Sequence, residues 1–177
     1  MKRRAVQSAA LPQDSQGFVR RECPSCHRHF KTRPSPGDGL SVLQRLGLVL
    51  PHENPHEIDG GRARRCLYCG RSAPADGWLT AEQRDHLARV AAAWAAEVRS
   101  EQARSLHPPG ARRPAPSSSD RRVSMPPEPD DLEPVPLLCC GEEAKALKDW
   151  RGSVYCPRCG ARQSTGRVAL GMPPARE

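Results

Sequence analysis

Apolar residues in this chain come in short bursts between long polar stretches, and one burst alone carries a sustained helical period. Phe18-Val19-Arg20-Arg21-Glu22 and His29-Phe30-Lys31 flank a tight turn at Cys23-Pro24-Ser25-Cys26, which predicts strand, turn, strand with Phe30 folding back over the turn. Leu40–Leu50 is the most apolar run. Its Leu40, Leu43 and Leu46-Gly47 fit a short helix, although Val49-Leu50 also suit the start of a strand. Pro51–Gly61 is a loop by its prolines and glycines. From Ala81 to about Arg104 runs a helix free of Gly and Pro, opened by a Thr80/Gln83 capping box. Leu87, Val90, Ala91, Trp94 and Val98 recur on one of its faces at spacings of three and four.

Two further segments complete the pattern. Residues 105–136 hold nine prolines and the run Ser117-Ser118-Ser119, a composition expected of a disordered linker. Beyond it, Val135-Pro136-Leu137-Leu138 and Trp150–Tyr155 bracket another polar stretch, with strand character at Val154-Tyr155 after the turn Arg151-Gly152-Ser153. A short strand after Cys159 and a frayed tail follow.

Composition narrows what such a chain can be. Of its 177 residues, 37% are apolar, 4% aromatic and 27% charged, too little apolar material for one large core. Modules this poor in core usually require a metal or disulfides. There is no apolar run of signal-peptide or membrane-spanning length, so a cytoplasmic address is expected, where disulfides are rare.

The eight cysteines then carry the chemistry. Cys66-Leu67-Tyr68-Cys69-Gly70 holds two thiols across one tight turn, a spacing that aims both at one ion about 2.3 Å from each sulfur. Gly70 allows a left-handed turn just after the second ligand. One such turn supplies half a tetrahedral site. Cys23 and Cys26 supply the other half, while Cys139, Cys140, Cys156 and Cys159 make a second set of four. Single redox Cys-x-x-Cys motifs do not come in such pairs, so two zinc ions are expected.

Histidines are secondary. His27 stands where the sibling turns carry glycine, and His27 and His29 are either substitute ligands or surface residues. His52 and His56 have the spacing of a helical metal pair, but Pro55 disfavours helix there.

Cys23-Pro-Ser-Cys26, Cys66-Leu-Tyr-Cys69-Gly70 and Cys156-Pro-Arg-Cys159-Gly160 together resemble the zinc-ribbon superfamily. The resemblance covers about 70 residues. It implies nucleic-acid or protein binding, as in transcription, replication and translation machinery. One departure stands out: in Leu137-Leu138-Cys139-Cys140-Gly141, leucine occupies the first ligand's place. Either Cys139 replaces that ligand or the second site has three.

The expected fold is thus a small metal-stabilised α+β chain with two zinc-ribbon-like modules of four cysteines each. Residues 1–17 form a disordered basic tail; 18–104 the first module with its insertion and amphipathic helix; 105–134 the linker; 135–168 the second module; and 169–177 a tail. The two modules are expected to behave independently.

Net charge sharpens the choice of partner. The chain carries +8, with eight basic and two acidic side chains in residues 1–36 and seven and four in 137–177. Arg20, Arg21, Arg28, Lys31, Arg64, Arg65, Arg158 and Arg162 all lie beside metal turns and are candidate phosphate contacts. The competing reading is a protein partner recruited by Leu87, Val90, Trp94 and Val98. An enzyme is not expected: four thiolates close a zinc shell, and the His-x-Glu of zinc deaminases, a phosphate-binding Gly-rich loop and a Ser-His-Asp order are all missing. No small-molecule substrate and no membrane are expected.

Overall fold

A computed structural model describes residues 11–35, Asp38, 64–105 and 124–165. The Leu40–Leu50 run, the His52/His56 loop, the first ten residues, the serine-rich part of the linker and the last twelve residues lie outside these.

The described chain repeats one local device four times. Strands β1 (Val19–Glu22) and β2 (His29–Thr32) flank the Cys23 turn, and β3 (Arg64–Arg65) and β4 (Ser72–Ala73) flank the Cys66 turn. After a short 3-10 helix, Ala75–Trp78, helix α1 runs from Ala81 to Ser105. Then β5 (Glu133–Pro136) and β6 (Glu143–Ala146) flank Cys139-Cys140, and β7 (Val154–Tyr155) and β8 (Arg162–Gln163) flank the Cys156 turn. The residue closing each turn adopts positive φ: His27 at 55°, Gly70 at 70°, Gly141 at 61° and Gly160 at 79°. His27 takes a conformation the siblings leave to glycine, at the steric cost of a Cβ.

The hairpins do not stay within their own modules. One antiparallel sheet runs β1-β2-β6-β5, so the first hairpin of each half pairs with its counterpart. At the junction Lys31 lies opposite Lys145, each the third residue of its strand. The second hairpins dock too: Arg65 N–H donates to Pro157 O (2.9 Å) and Tyr155 N–H to Leu67 O (2.8 Å). Arg65 and Tyr155 hold equivalent places, each just before the first cysteine of its turn. Each packs over the glycine closing the other's turn. A Cβ on Gly160 would lie 2.6 Å from the Arg65 side chain, and one on Gly70 would lie 2.9 Å from the Tyr155 ring. The halves face each other about an approximate internal two-fold.

This corrects the expected independence of the two modules. Their core is shared: Phe30, Leu67, Tyr68 and Trp78 from the first half are buried with Val135, Leu137, Ala144, Ala146 and Val154 from the second. Phe30 meets Tyr68 and Trp78 edge-on at ring separations of 6.3 and 5.8 Å, and Tyr68 meets Trp150 at 4.8 Å. Tyr68 Oη donates to His29 O (2.7 Å) and accepts from Leu147 N–H (3.0 Å), pinning the halves through one hydroxyl.

Two other boundaries move. Residues 11–17, expected in a disordered tail, contribute the buried Leu11 and Asp14. The end of the expected linker is built into the fold: Glu128 N–H donates to Gln13 O (3.3 Å), and β5 begins at Glu133. Prolines 134 and 136 sit in a strand because β5 is the sheet's edge, where a missing N–H costs no ladder bond.

Helix α1 begins with the capping box read from the sequence. Gln83 N–H donates to Thr80 Oγ1 (3.2 Å), and Thr80 N–H donates to Gln83 Oε1 (3.0 Å). Gln83 Nε2 also donates to Arg20 O (3.1 Å), fixing the helix start to β1. Leu87 and Val90 are buried with Leu11, Val19 and Leu79 in a second apolar cluster. Among the described residues, no helix is long and apolar enough to cross a membrane.

Candidate metal centres and the charged surface

Each Cys-x-x-Cys turn presents its sulfurs from a short hairpin whose ladder continues into the turn. Cys66 N–H donates to Arg71 O (2.8 Å), and Gly70 N–H donates back to Cys66 O (3.0 Å). The Cys156 turn repeats both bonds, to Ala161 O and from Gly160 N–H, at 2.9 Å each. With the backbone folded so tightly, neighbouring N–H groups point at sulfur. Ser25 and Cys26 N–H lie 3.4 Å from Cys23 Sγ, and Tyr68 N–H lies 3.3 Å from Cys66 Sγ. At Cys66 the Tyr68 donor favours the thiolate over the thiol.

Cys23, Cys26, Cys66 and Cys69 gather with all sulfurs within 4.8 Å of one another, and so do Cys139, Cys140, Cys156 and Cys159. Four sulfurs each about 2.3 Å from one ion stand about 3.8 Å apart. In the first cluster Cys23–Cys69 and Cys26–Cys66 are both separated by 3.7 Å. In the second, Cys139–Cys159 are 3.4 Å apart. Both clusters have the donor set and dimensions to hold a thiophilic metal ion. His27 and His29 belong to neither. They lie 3.6 and 4.0 Å from Glu22 at the surface.

Charge supplies a second test of fit. Burial pushes the Cys66 thiol up, against the lowering effect of the Cys69 and Tyr68 N–H groups. Loss of water inside the cluster, then the sulfurs of Cys159 and Cys156, push Cys139 up to about 12. The Ala161 N–H, then Cys139 and Cys140, hold Cys159 down at about 7. Sulfurs crowded this closely resist joint ionisation, and a divalent cation among them removes the obstacle.

The two clusters differ in placement. Cys23 and Cys66 are buried and Cys26 and Cys69 half-buried, whereas Cys139 and Cys159 are exposed, Cys140 is half-buried and Cys156 is buried. The equivalence of the hairpins accounts for the place of Cys139. Cys140 matches Cys26, so Leu137 matches Cys23, and Leu137 is likewise buried, at 4% exposure. Cys139 stands where the first half has Ser25, at the outer part of the turn. The second cluster has four thiols, one moved outward.

Gln163, which the sequence did not single out, serves that displaced ligand. Its Oε1 accepts Leu138 N–H (3.0 Å), and its Nε2 donates to Cys139 Sγ (2.9 Å). No local pattern marks it; only the β8 register places it there.

The predicted phosphate contacts divide sharply. Arg20 bonds Glu128 and both oxygens of Asp131 at 2.7 Å. Arg21, 1% exposed, bonds Asp38 and Thr32. Lys31 is fully buried, and its ammonium reaches Asp14 and Asp131, each at 3.2 Å, and Pro129 O. Across the sheet Lys145 meets the same Asp14 oxygen at 2.7 Å. These three candidates are paired with carboxylates of the chain itself, which compete with phosphate for them. Arg64 is half-buried and donates to Thr32 Oγ1 (3.1 Å).

Burial of Asp14 would raise its carboxyl. Lys145, the Phe18 N–H, Lys31 and the Gln16 N–H outweigh that and hold it at about 2. It is the counter-ion of two opposed lysines, one from each half.

Arg28, Arg65, Arg158 and Arg162 are exposed. Arg28 lies over the Trp150 ring at 5.2 Å. Arg65 runs along Gly160, between Arg158 and Arg162 in the chain, and its Nη1 reaches Gly70 O (3.5 Å) beside the exposed Arg71. Arg71 meets the same criterion as Arg158, adjacency to a metal turn, and could have been read on that ground.

The partner face loses its anchors in a similar way. Leu87 and Val90 are interior, leaving Trp94 and Val98 half-buried. Compared with protein-family models, curated proteins and solved structures, the chain finds no match. Its two four-cysteine clusters are compatible with zinc-ribbon-like modules, and its function has to be argued from them and from the charged surface around them.

Proposed function

We propose that the protein is a non-enzymatic zinc protein whose paired ribbons bind nucleic-acid phosphates, in a reducing compartment such as the cytoplasm where the thiolates persist. Zinc is the reading for both clusters because all-thiolate tetrahedral sets suit it and thereby close its coordination shell, leaving no position for water or substrate. The metal then acts as a staple for a chain poor in apolar residues. The observation that carries the nucleic-acid reading is the set of four arginines around the docked second turns. Arg65, Arg71, Arg158 and Arg162 are exposed, come from both halves, and form no ion pair among the described residues. Cations held on rigid turns favour phosphate contact over solvated tails.

Binding to duplex and single-stranded nucleic acid across a salt series tests this. Affinity falls as salt rises, and Arg65→Ala with Arg158→Ala flattens the logarithmic slope by about two while weakening all sequences alike. Arg20→Ala and Lys31→Ala instead lower stability. Binding that survives the double substitution with its salt slope unchanged overturns the reading.

A further inference from the structure

The two clusters are built from equivalent hairpins, yet only the second has moved a ligand to the surface. Leu137 fills the buried place that Cys23 holds in the first half, and Cys139 takes over from an exposed position, beside the exposed Cys159 at 3.4 Å. We propose that the second cluster is an oxidisable, releasable metal site: a peroxide couples Cys139 to Cys159 and frees the cation, while the first cluster keeps its own. This rests on the zinc reading above.

The step balances. Peroxide takes two electrons from the two sulfurs as the S–S bond forms. Its O–O bond breaks, and two protons from solvent complete two waters. The tetrathiolate loses two of its charged donors, and the divalent ion leaves a pair of remaining thiolates that cannot retain it. Access decides which cluster reacts, since thiolate oxidation follows exposure. Cys23 and Cys66 are fully buried at 0% exposure, under Phe30, Tyr68 and the second half of the chain.

The fold also lets the second site empty without coming apart. Its half is held by β2–β6 pairing, by the Lys31–Asp14–Lys145 node, by Arg65 and Tyr155 on the opposite turns, and by Tyr68 Oη on Leu147. None of these bonds uses Cys139 or Cys159. Gln163, holding both Leu138 and Cys139, keeps the turn near its place during the exchange.

The full chain, loaded with zinc under reducing conditions and then freed of reductant, is treated with hydrogen peroxide beside a metallochromic chelator. Half of the bound zinc is released in a first phase. Peptide mapping finds Cys139 joined to Cys159, and circular dichroism keeps the helical signal. Leu137→Cys combined with Cys139→Ser restores the first cluster's ligand pattern, and the fast phase is then lost. Where that variant folds poorly, differential alkylation of the unaltered chain decides, with Cys139 and Cys159 oxidised before Cys23, Cys26, Cys66 and Cys69. Two equivalents bound and released in one phase, or first-cluster cysteines oxidised first, overturn the inference alone. A chain that binds no zinc when reduced overturns the zinc reading and this inference with it.

Discussion

The first cluster sits under an aromatic roof, with Phe30, Tyr68 and Trp78 packed around Cys23 and Cys66, while the second lies at the rim with two ligands in solvent. Both are assembled from the same hairpin, turn and left-handed closing residue. The outward place of Cys139 traces to one exchange, leucine for cysteine at position 137, which preserves the buried apolar volume and moves the thiol outward. Equal donor sets can therefore have unequal duties. The first cluster roots two of its thiols, Cys23 and Cys66, in the shared core, and the second roots one, Cys156, so metal binding at the first is tied more closely to that core.

The largest expected effect follows from that contrast. Cys66→Ser removes a buried ligand from the shared core, and the folding free energy at stake is of the order of a structural zinc site, about 10–16 kcal/mol apparent. Cys159→Ser removes an exposed ligand and leaves most of the core folded. Metal analysis with thermal unfolding checks both. If the two substitutions are equally destabilising, the clusters are not divided in the way their burial indicates.

Next in size is the joint that makes the second half depend on the first. Asp14→Asn leaves Lys31 and Lys145 opposed in the sheet with weaker neutralisation, a loss of about 3 kcal/mol in denaturant unfolding. Should the variant lose the second cluster's metal faster than the first's, the joint and not the metal is what orders that half.

Acid tests the same node. A carboxyl whose folded pKa is depressed stabilises the fold above its unfolded value and loses that contribution as pH falls through the folded one. For Asp14 the interval runs from its ordinary 3.8 down to about 2. The stability difference between the native chain and Asp14→Asn stays constant above about pH 4, then shrinks by about 2 kcal/mol by pH 2. Chelator-treated protein, measured in parallel, separates this from proton-driven loss of metal.

The smallest effect belongs to the helix start. Thr80→Ala removes one half of the capping box and costs about 1 kcal/mol. It acts on α1 and β1 alone and leaves zinc release from the second cluster unchanged.

Local pattern marked what local chemistry controls. The four turns, two of the hairpins, the capping box at Thr80 and the grouping of eight cysteines were legible because each depends on residues close in the chain. The strand β6 was not, for Glu143-Ala144-Lys145-Ala146 has no strand propensity of its own and is held by neighbours on both sides. Nor could sequence distinguish Lys31 from Arg158. Both flank a metal turn, but one faces a carboxylate contributed from seventeen residues upstream and the other faces water. Spacing alone determined where the thiols are and which turns carry them. Only the tertiary structure decided which cations are spent inside, which cluster is sealed, and that the halves share one sheet, because burial and counter-charge come from segments far apart in the chain.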